Sequence, residues 1–257
     1  PFAFTGNKFE FRMVGSQASI AQPNVVLNTI VADAFAEACD VLEKADNFDM
    51  AVHDMIKETL AAHKRVVFNG NGYSEAWVKE AERRGLPNIR SMVDAIPYLA
   101  TDKSVALFER FGVFTRAELE SRVEVEYETY AKTINIEALT MLDMANKQII
   151  PSVTGFAKSL AETTLKVKEA CGDATVPAEL LKAVTEKLTE TKRAAEKLLE
   201  EESQASAMPR GKEQAFRYHD RVVTAMNELR RPADELEKMV DKTCWPFPTY
   251  ADLIFEV

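Results

Sequence analysis

Glycine is scarce in this chain, with 9 in 257 residues, about half of what the usual ~7% would supply. So few flexible positions argue against a loop-rich or sheet-rich domain and favour long helices. Histidine and cysteine are equally thin, at three each. His53, His63 and His219 have no spacing that would gather metal ligands, so each reads as a surface or helix-packing residue. Cys39, Cys171 and Cys244 are odd in number and far apart, which excludes a disulfide framework and predicts free, buried thiols in a reducing compartment. No apolar run approaches the ~20 residues that span a bilayer, and no basic-then-apolar leader opens the chain. No membrane partner and a cytoplasmic location are expected. Positive charge is in deficit, 32 Lys and Arg against 41 Asp and Glu for a net charge of −9, and it gathers into no stripe. A nucleic-acid partner would need the opposite field.

What is present is the balance of a folded protein, 46% hydrophobic and 28% charged, with length for one large domain or two small ones. Phe2 to Met13 is the only clear β-patterned region at the front. Thr5-Gly6-Asn7 is turn chemistry, and from Lys8 to Met13 charged and apolar residues alternate strictly. A period of two puts Lys8, Glu10 and Arg12 on one face and Phe9, Phe11 and Met13 on the other. An apolar strand so near the start, with the next strand signal only at Arg65–Phe68, leads us to expect that something upstream is missing.

The rest reads as helix. Asn24 to about Lys44 carries Leu27, Ile30, Val31 and Ala34 on one stripe, and Phe48 to His63 is a second helix. Ser74 looks like the N-cap of Glu75–Arg84, with Gly85 as its stop, and Asp102 looks like the cap of a short helix ending near Gly112. Thr115 and Glu118 have capping-box spacing. No Gly or Pro then intervenes before Pro151, so a very long helix, or two joined end to end, is predicted. Ser152–Ala170, Pro177–Ser203 and Gly211–Lys242 follow, the last expected to kink or split at Pro232. Leu180, Leu181, Val184, Leu188, Ala195 and Leu198 mark a packed seam, so residues 177–242 read as a hairpin of two long antiparallel helices. Trp245-Pro246-Phe247-Pro248-Thr249-Tyr250 reads as a non-helical tail, able to fold back or to plug a neighbour.

Among candidate sites, Lys8, Glu10 and Arg12 come first. A carboxylate between two cations on one strand face suits a place where Mg²⁺ or Mn²⁺ meets a transferring phosphoryl group. The same pattern also fits an ordinary solvent-facing strand with charges paired across the sheet. Asn69-Gly70-Asn71-Gly72 lacks the Gly-Lys ending of a phosphate-cradling loop and reads as a turn. Glu200-Glu201-Glu202 reads as a solvated helix end. Tyr127, Tyr130 and Tyr218 sit at helical positions and read as core.

The run Pro1-Phe2-Ala3-Phe4-Thr5-Gly6-Asn7-Lys8-Phe9-Glu10-Phe11-Arg12, followed by Ala21-Gln22-Pro23-Asn24, resembles the strand-turn-strand and helix start of the glutamine synthetase catalytic barrel. Its wording, with Lys8 where the common form has Arg, is similar to type III of that family. So are Phe68–Tyr73, Lys132–Met141, Ala225–Arg230 and Trp245–Tyr250, which carry the resemblance along essentially the whole chain. The resemblance implies an ATP-dependent ligase making glutamine from glutamate and ammonia through a γ-glutamyl phosphate. It implies Glu10 as a ligand of a catalytic Mg²⁺ or Mn²⁺, Arg12 on substrate glutamate and the phosphorylated intermediate, and Lys8 near the ATP phosphates. Self-association into stacked rings is implied as well.

The expected fold is mainly α with a small β portion: a C-terminal remnant of the catalytic β-barrel, a large helical region and a helical-hairpin extension. Residues 1–150 are expected to hold the C-terminal part of the catalytic domain and 151–257 a type III extension. The family's other metal-ligating glutamates and its glutamate-binding loop are absent from the chain, so it is expected to be inactive alone. The competing expectation is a non-catalytic assembly module whose 177–242 hairpin offers its apolar seam to a partner.

Overall fold

The computed structural model describes residues 2–11, 15 and 18–255. It is mostly helical, with one small sheet among the described residues. Strands β1 (Phe2–Phe4) and β2 (Phe9–Phe11) pair antiparallel, with Phe2 opposite Phe11, Ala3 opposite Glu10 and Phe4 opposite Phe9. Eleven α-helices follow among the described residues, and the chain divides into two compact units, 1–123 and 124–257.

The first unit holds α1 (Ala21–Leu42), α2 (Phe48–His63), α3 (Glu75–Arg83), α4 (Met92–Ala95), α5 (Asp102–Arg110) and the start of α6 (Arg116–Met144). Its helix starts are written in local sequence. Asn47 accepts the Met50 N–H at 3.1 Å, Ser74 that of Trp77 at 3.3 Å and Ser91 that of Asp94 at 3.2 Å. The capping box forms as expected: Glu118 Oε2 accepts the Thr115 N–H at 2.8 Å, and Thr115 Oγ1 accepts the Glu118 N–H at 3.4 Å. Thr101, not Asp102, is the cap of α5, its hydroxyl accepting the Ser104 N–H.

α1 begins three residues before the expected Asn24, because Pro23 falls in its first turn, where no helical N–H is needed. The side of α1 that turns inward also differs from the expected stripe. Val25, Val26 and the buried Thr29 are the inward residues, the two valines packing with Val105, Phe108 and Leu119. Ile30 and Val31 are exposed instead. An Arg110–Asp33 ion pair at 2.6 Å ties α5 to α1. Arg65–Phe68 is not a strand: Lys64–Val66 forms a single tight 3₁₀ turn. The carbonyls of Arg65 and Val67, which a ladder would use, accept from the Arg84 guanidinium at 3.1 and 2.9 Å.

The second unit is a bundle of three helical rods. Residues 116–171 run helically from α6 through a π turn (Ala145–Ile149) into α7 (Ile150–Cys171), and from residue 124 onward they form the first of these rods. Pro151 lies just past the π turn, in the first turn of α7, and Gly172 at φ +79° ends the rod. The second rod is α8 (Thr175–Ser206). The third is α9 (Lys212–Arg217), a π turn (Tyr218–Val222) and α10 (Val223–Met239). α10 neither ends nor splits at Pro232, which is buried in the helix. The irregularity lies ten residues earlier, at the π turn.

The seam of α8 is as expected and longer. Val184, Leu188, Thr191, Ala195, Leu198, Glu202 and Ala205 alternate spacings of four and three, the repeat of a coiled-coil face. One cluster gathers Ala131, Ala138, Leu142 and Ala145 of the first rod, Ala195, Leu198 and Ala205 of α8, and Tyr218, Val222, Ala225 and Leu229 of the third. Alanines at these contacts let the rods approach closely around Tyr218 and Leu198. A second cluster joins Ile149, Val153, Val184, Ala233, Leu236 and Val240. The tail folds back here: Trp245 and Phe247, edge to face at 6.4 Å, pack on it before α11 (Tyr250–Phe255).

Several buried polar groups are answered locally, whereas Asn135 Oδ1 and Arg217 Nε find no hydrogen-bond partner. Thr191 donates to the Lys187 carbonyl at 2.8 Å, and the Gln214 amide closes the end of α8 by donating to the Ala205 and Met208 carbonyls, each at 3.2 Å. Glu200–Glu202 is not a solvated end: Glu202 is buried, and Glu201 pairs with Arg217 at 2.6 Å, because α9 returns against this turn. Tyr127 and Tyr218 are core, and Tyr130 is half-buried. Burial, and secondarily the Glu202 carboxylate, push the Tyr218 phenol above its ordinary value. The cysteines are free, yet Cys39 and Cys171 are exposed and only Cys244 is shielded, against the expectation of buried thiols.

Leu198→Ala is expected to destabilise the protein by about 2–5 kcal/mol, because its side chain is wholly enclosed. Leu199→Ala, one residue on and half exposed, is expected to cost far less. Urea unfolding followed by far-ultraviolet circular dichroism separates the two; equal losses would refute the seam's register.

Candidate functional site

The hairpin marked by the sequence reverses through Gly6-Asn7, with Gly6 at φ +95°, a conformation that favours glycine. The Thr5 N–H donates to the Lys8 carbonyl at 2.9 Å, closing the two-residue loop. Strand alternation puts Glu10 on the same side as Ala3, its cross-strand partner, and Lys8 toward that side at the loop's end. Lys8 is exposed and Glu10 half-buried. Arg12, the third member of the predicted site, lies outside the described residues. The opposite side carries Phe4 and Phe9, rings tilted at 5.1 Å and 64% and 71% exposed. The apolar face predicted by the alternation is therefore uncovered at Phe9, as is its cross-strand neighbour Phe4.

No group of three or more His, Cys, Asp or Glu suited to a metal occurs among the described residues. Glu10 is thus a single hard oxygen donor, and one carboxylate does not make an Mg²⁺ or Mn²⁺ site. The histidines do not converge; His53 pairs with Asp54, and His219 with Asp220.

Asn69–Gly72 is a turn, as expected. The Asn71 side chain accepts the Tyr73 N–H at 3.0 Å and its carbonyl accepts the Ser74 hydroxyl at 2.8 Å, so the loop leads directly into the cap of α3. Phe68 stacks on Trp77 at 4.2 Å, and the Arg84 guanidinium lies over the Trp77 ring, 5.6 Å from its centroid. Glu80 holds Arg84 at 2.6 Å and Arg83 through two contacts at 2.6 and 2.7 Å. Hydrogen bonds from Arg83 and then Arg84 lower the Glu80 carboxyl to about 2.

One concavity was not foreseen. In the second unit a cavity of about 630 Å³ lies between the first rod, α10 and the returning tail. Its walls come from Lys132–Met141, Ala225–Arg230 and Trp245–Tyr250, three of the stretches that carried the family resemblance, together with the π turn at Ala145–Ile149. No catalytic residue type had singled those stretches out; only their wording had.

Comparison with known proteins agrees with that wording. The glutamine synthetase C-terminal domain family matches residues 51–168. A glutamine synthetase of Butyrivibrio fibrisolvens is 38% identical over 264 aligned positions, covering 100% of this chain and 37% of that protein. A type-3 glutamine synthetase of Dictyostelium discoideum is 34% identical over 99% of the chain and 36% of its own length. A glutamine synthetase of Bacteroides fragilis is 32% identical over the same shares. Along its whole length the chain is therefore similar to the C-terminal portion of glutamine synthetases, a type-3 enzyme among them, and it spans little more than a third of the length of the curated relatives it matches.

The Glu80 cluster sets an acid dependence. Its folded value lies below the ordinary 4.5, so its stabilising effect is complete above about pH 4.5 and fades as pH falls toward 2. Glu80→Gln is expected to flatten the loss of stability across that window. Parallel acid titrations by circular dichroism check this; coincident curves would remove Glu80 as a clamp.

Proposed function

We propose that this chain is the C-terminal part of an ATP-dependent ligase that joins ammonia to glutamate and yields glutamine, serving nitrogen assimilation in the cytoplasm. The observation that carries this reading is similarity to glutamine synthetases along the whole chain, including the Thr-Gly-Asn-Lys-Phe-Glu-Phe-Arg run. In such a ligase the glutamate side-chain carboxylate takes the γ-phosphoryl group of ATP, and ammonia then displaces phosphate from the acyl phosphate. Several anions must come together in that reaction, and cations that offset their repulsion lower the barrier.

In this reading Glu10 contributes one oxygen ligand to a Mg²⁺ or Mn²⁺ whose other ligands lie outside the chain. Lys8 places a point charge near the ATP phosphates, and Arg12 holds the substrate carboxylate and the phosphorylated intermediate. The β1–β2 hairpin would be the last piece of a catalytic barrel. Its uncovered Phe4 and Phe9 support this, since an isolated two-stranded hairpin is at best marginally stable in water. Residues 1–150 would complete the catalytic domain and 151–257 would form the type III extension, within a homo-oligomer of stacked rings. Without the remaining ligands the chain alone would be inactive. Against the competing idea, that the 177–242 hairpin presents its seam to a partner, stands the packing of that seam against α6 and α7 of the same chain.

In a polypeptide of the relatives' full length, Glu10→Ala is expected to reduce γ-glutamyl transferase activity by at least about 10²-fold, because losing even an outer partner of a metal ligand costs up to that much. Glu10→Ala should also weaken Mn²⁺ binding. Retained activity in the variant would remove Glu10 from the metal site.

A further inference from the structure

The cavity of the second unit, independent of the ligase reading, has the make-up of a ligand site. Its volume of about 630 Å³ lies in the range of small-molecule pockets. The floor is apolar and adaptable: Met141, Met144 and Met226 line it, and methionine reshapes around aromatic and aliphatic guests. Trp245 and Phe247, fixed by packing on the second cluster, supply aromatic walls. The charged lining is lopsided, with the carboxylates of Glu137, Asp234 and Glu237 against one guanidinium, Arg230. Arg230 is itself engaged by Asp234 at 3.2 Å, so the uncompensated field of the lining is that of Glu137 and Glu237.

We propose that this groove binds a small organic cation with an aromatic or otherwise apolar body, its ammonium toward Glu137 and Glu237 and its body among the methionines and Trp245. An aromatic wall adds attraction for a cation that an anion would not receive. An anionic guest of the same shape would meet the acidic field instead.

Trp245 reports on the site directly. The chain has two tryptophans, so Trp77→Phe leaves Trp245 alone. In that background 2-phenylethylammonium is expected to change Trp245 fluorescence saturably, and 3-phenylpropionate, an anion with the same phenylethyl body, is expected to bind at least about tenfold more weakly. Adding Glu137→Gln and Glu237→Gln should weaken the cation by about tenfold and leave the anion equal or better. Should the double variant fail to fold by circular dichroism, raising ionic strength on the parent serves instead, and must weaken the cation selectively. Equal responses to both probes, no saturable response, or indifference to charge removal or salt would overturn the proposal. So would a Trp245 change that tracks protein concentration without probe and coincides with dimerisation by sedimentation, which would assign the groove to a second copy.

Discussion

The second unit depends on keeping three helical rods in register along one apolar seam. A straight helix repeats every 3.6 residues, while α8 buries residues at alternating steps of four and three, an average of 3.5. The rods on either side meet this difference with π turns, Ala145–Ile149 in one and Tyr218–Val222 in the other. Both turns face the seam: Ala145, Ile149, Tyr218 and Val222 are all buried. The widened turns shift side-chain register between Leu142 and Val153 in one rod and between Ala215 and Ala225 in the other, and apolar positions on each side of the shift still point inward. The two clusters, and the seat for the aromatic tail, follow from that alignment.

The first unit is built differently. Its buried apolar residues, Val105, Phe108 and Leu119 with Val93 and Ile96, are few, and much of its order comes from caps and from Arg84, which joins Glu80, Trp77 and two loop carbonyls. Large apolar side chains on α1 and α2, among them Phe35, Ile56 and Leu60, are half or more exposed. Where such side chains adjoin one another they mark interaction faces. Such exposure accords with a chain that is a fraction of the length of its relatives.

What was legible in the sequence was what local chemistry decides. The Thr115–Glu118 box, the Ser74 cap, the bounds of α2 and the Gly6 reversal each involve neighbours a few residues apart, and each formed. The α8 seam was legible because its periodicity is long. Tertiary partners decided the rest. α1 is apolar on more than one side, and Val105 and Phe108 chose Val25 and Val26 over Ile30 and Val31. Pro232 was expected to break its helix, but burial in the bundle holds α10 continuous. The π turns have no local signature, and Arg65–Phe68 lost its strand character to a side chain some twenty residues away. Of the candidate site, the hairpin and the positions of Lys8 and Glu10 were readable from alternation alone. The groove was not, since its walls are brought together only by the bundle.

The π turns also make the rods sensitive to length. Each residue advances a helix by about 100°, so losing one residue from Tyr218–Val222 would restore an ordinary ladder locally and swing everything beyond it. Leu229, Ala233 and Leu236 would rotate toward water together, and polar flanks would take their places against α8. Outer-face substitutions leave this alignment intact, whereas a single-codon deletion at either bulge undoes it; evolution of the bundle is thereby channelled into changes of residue type and away from changes of spacing.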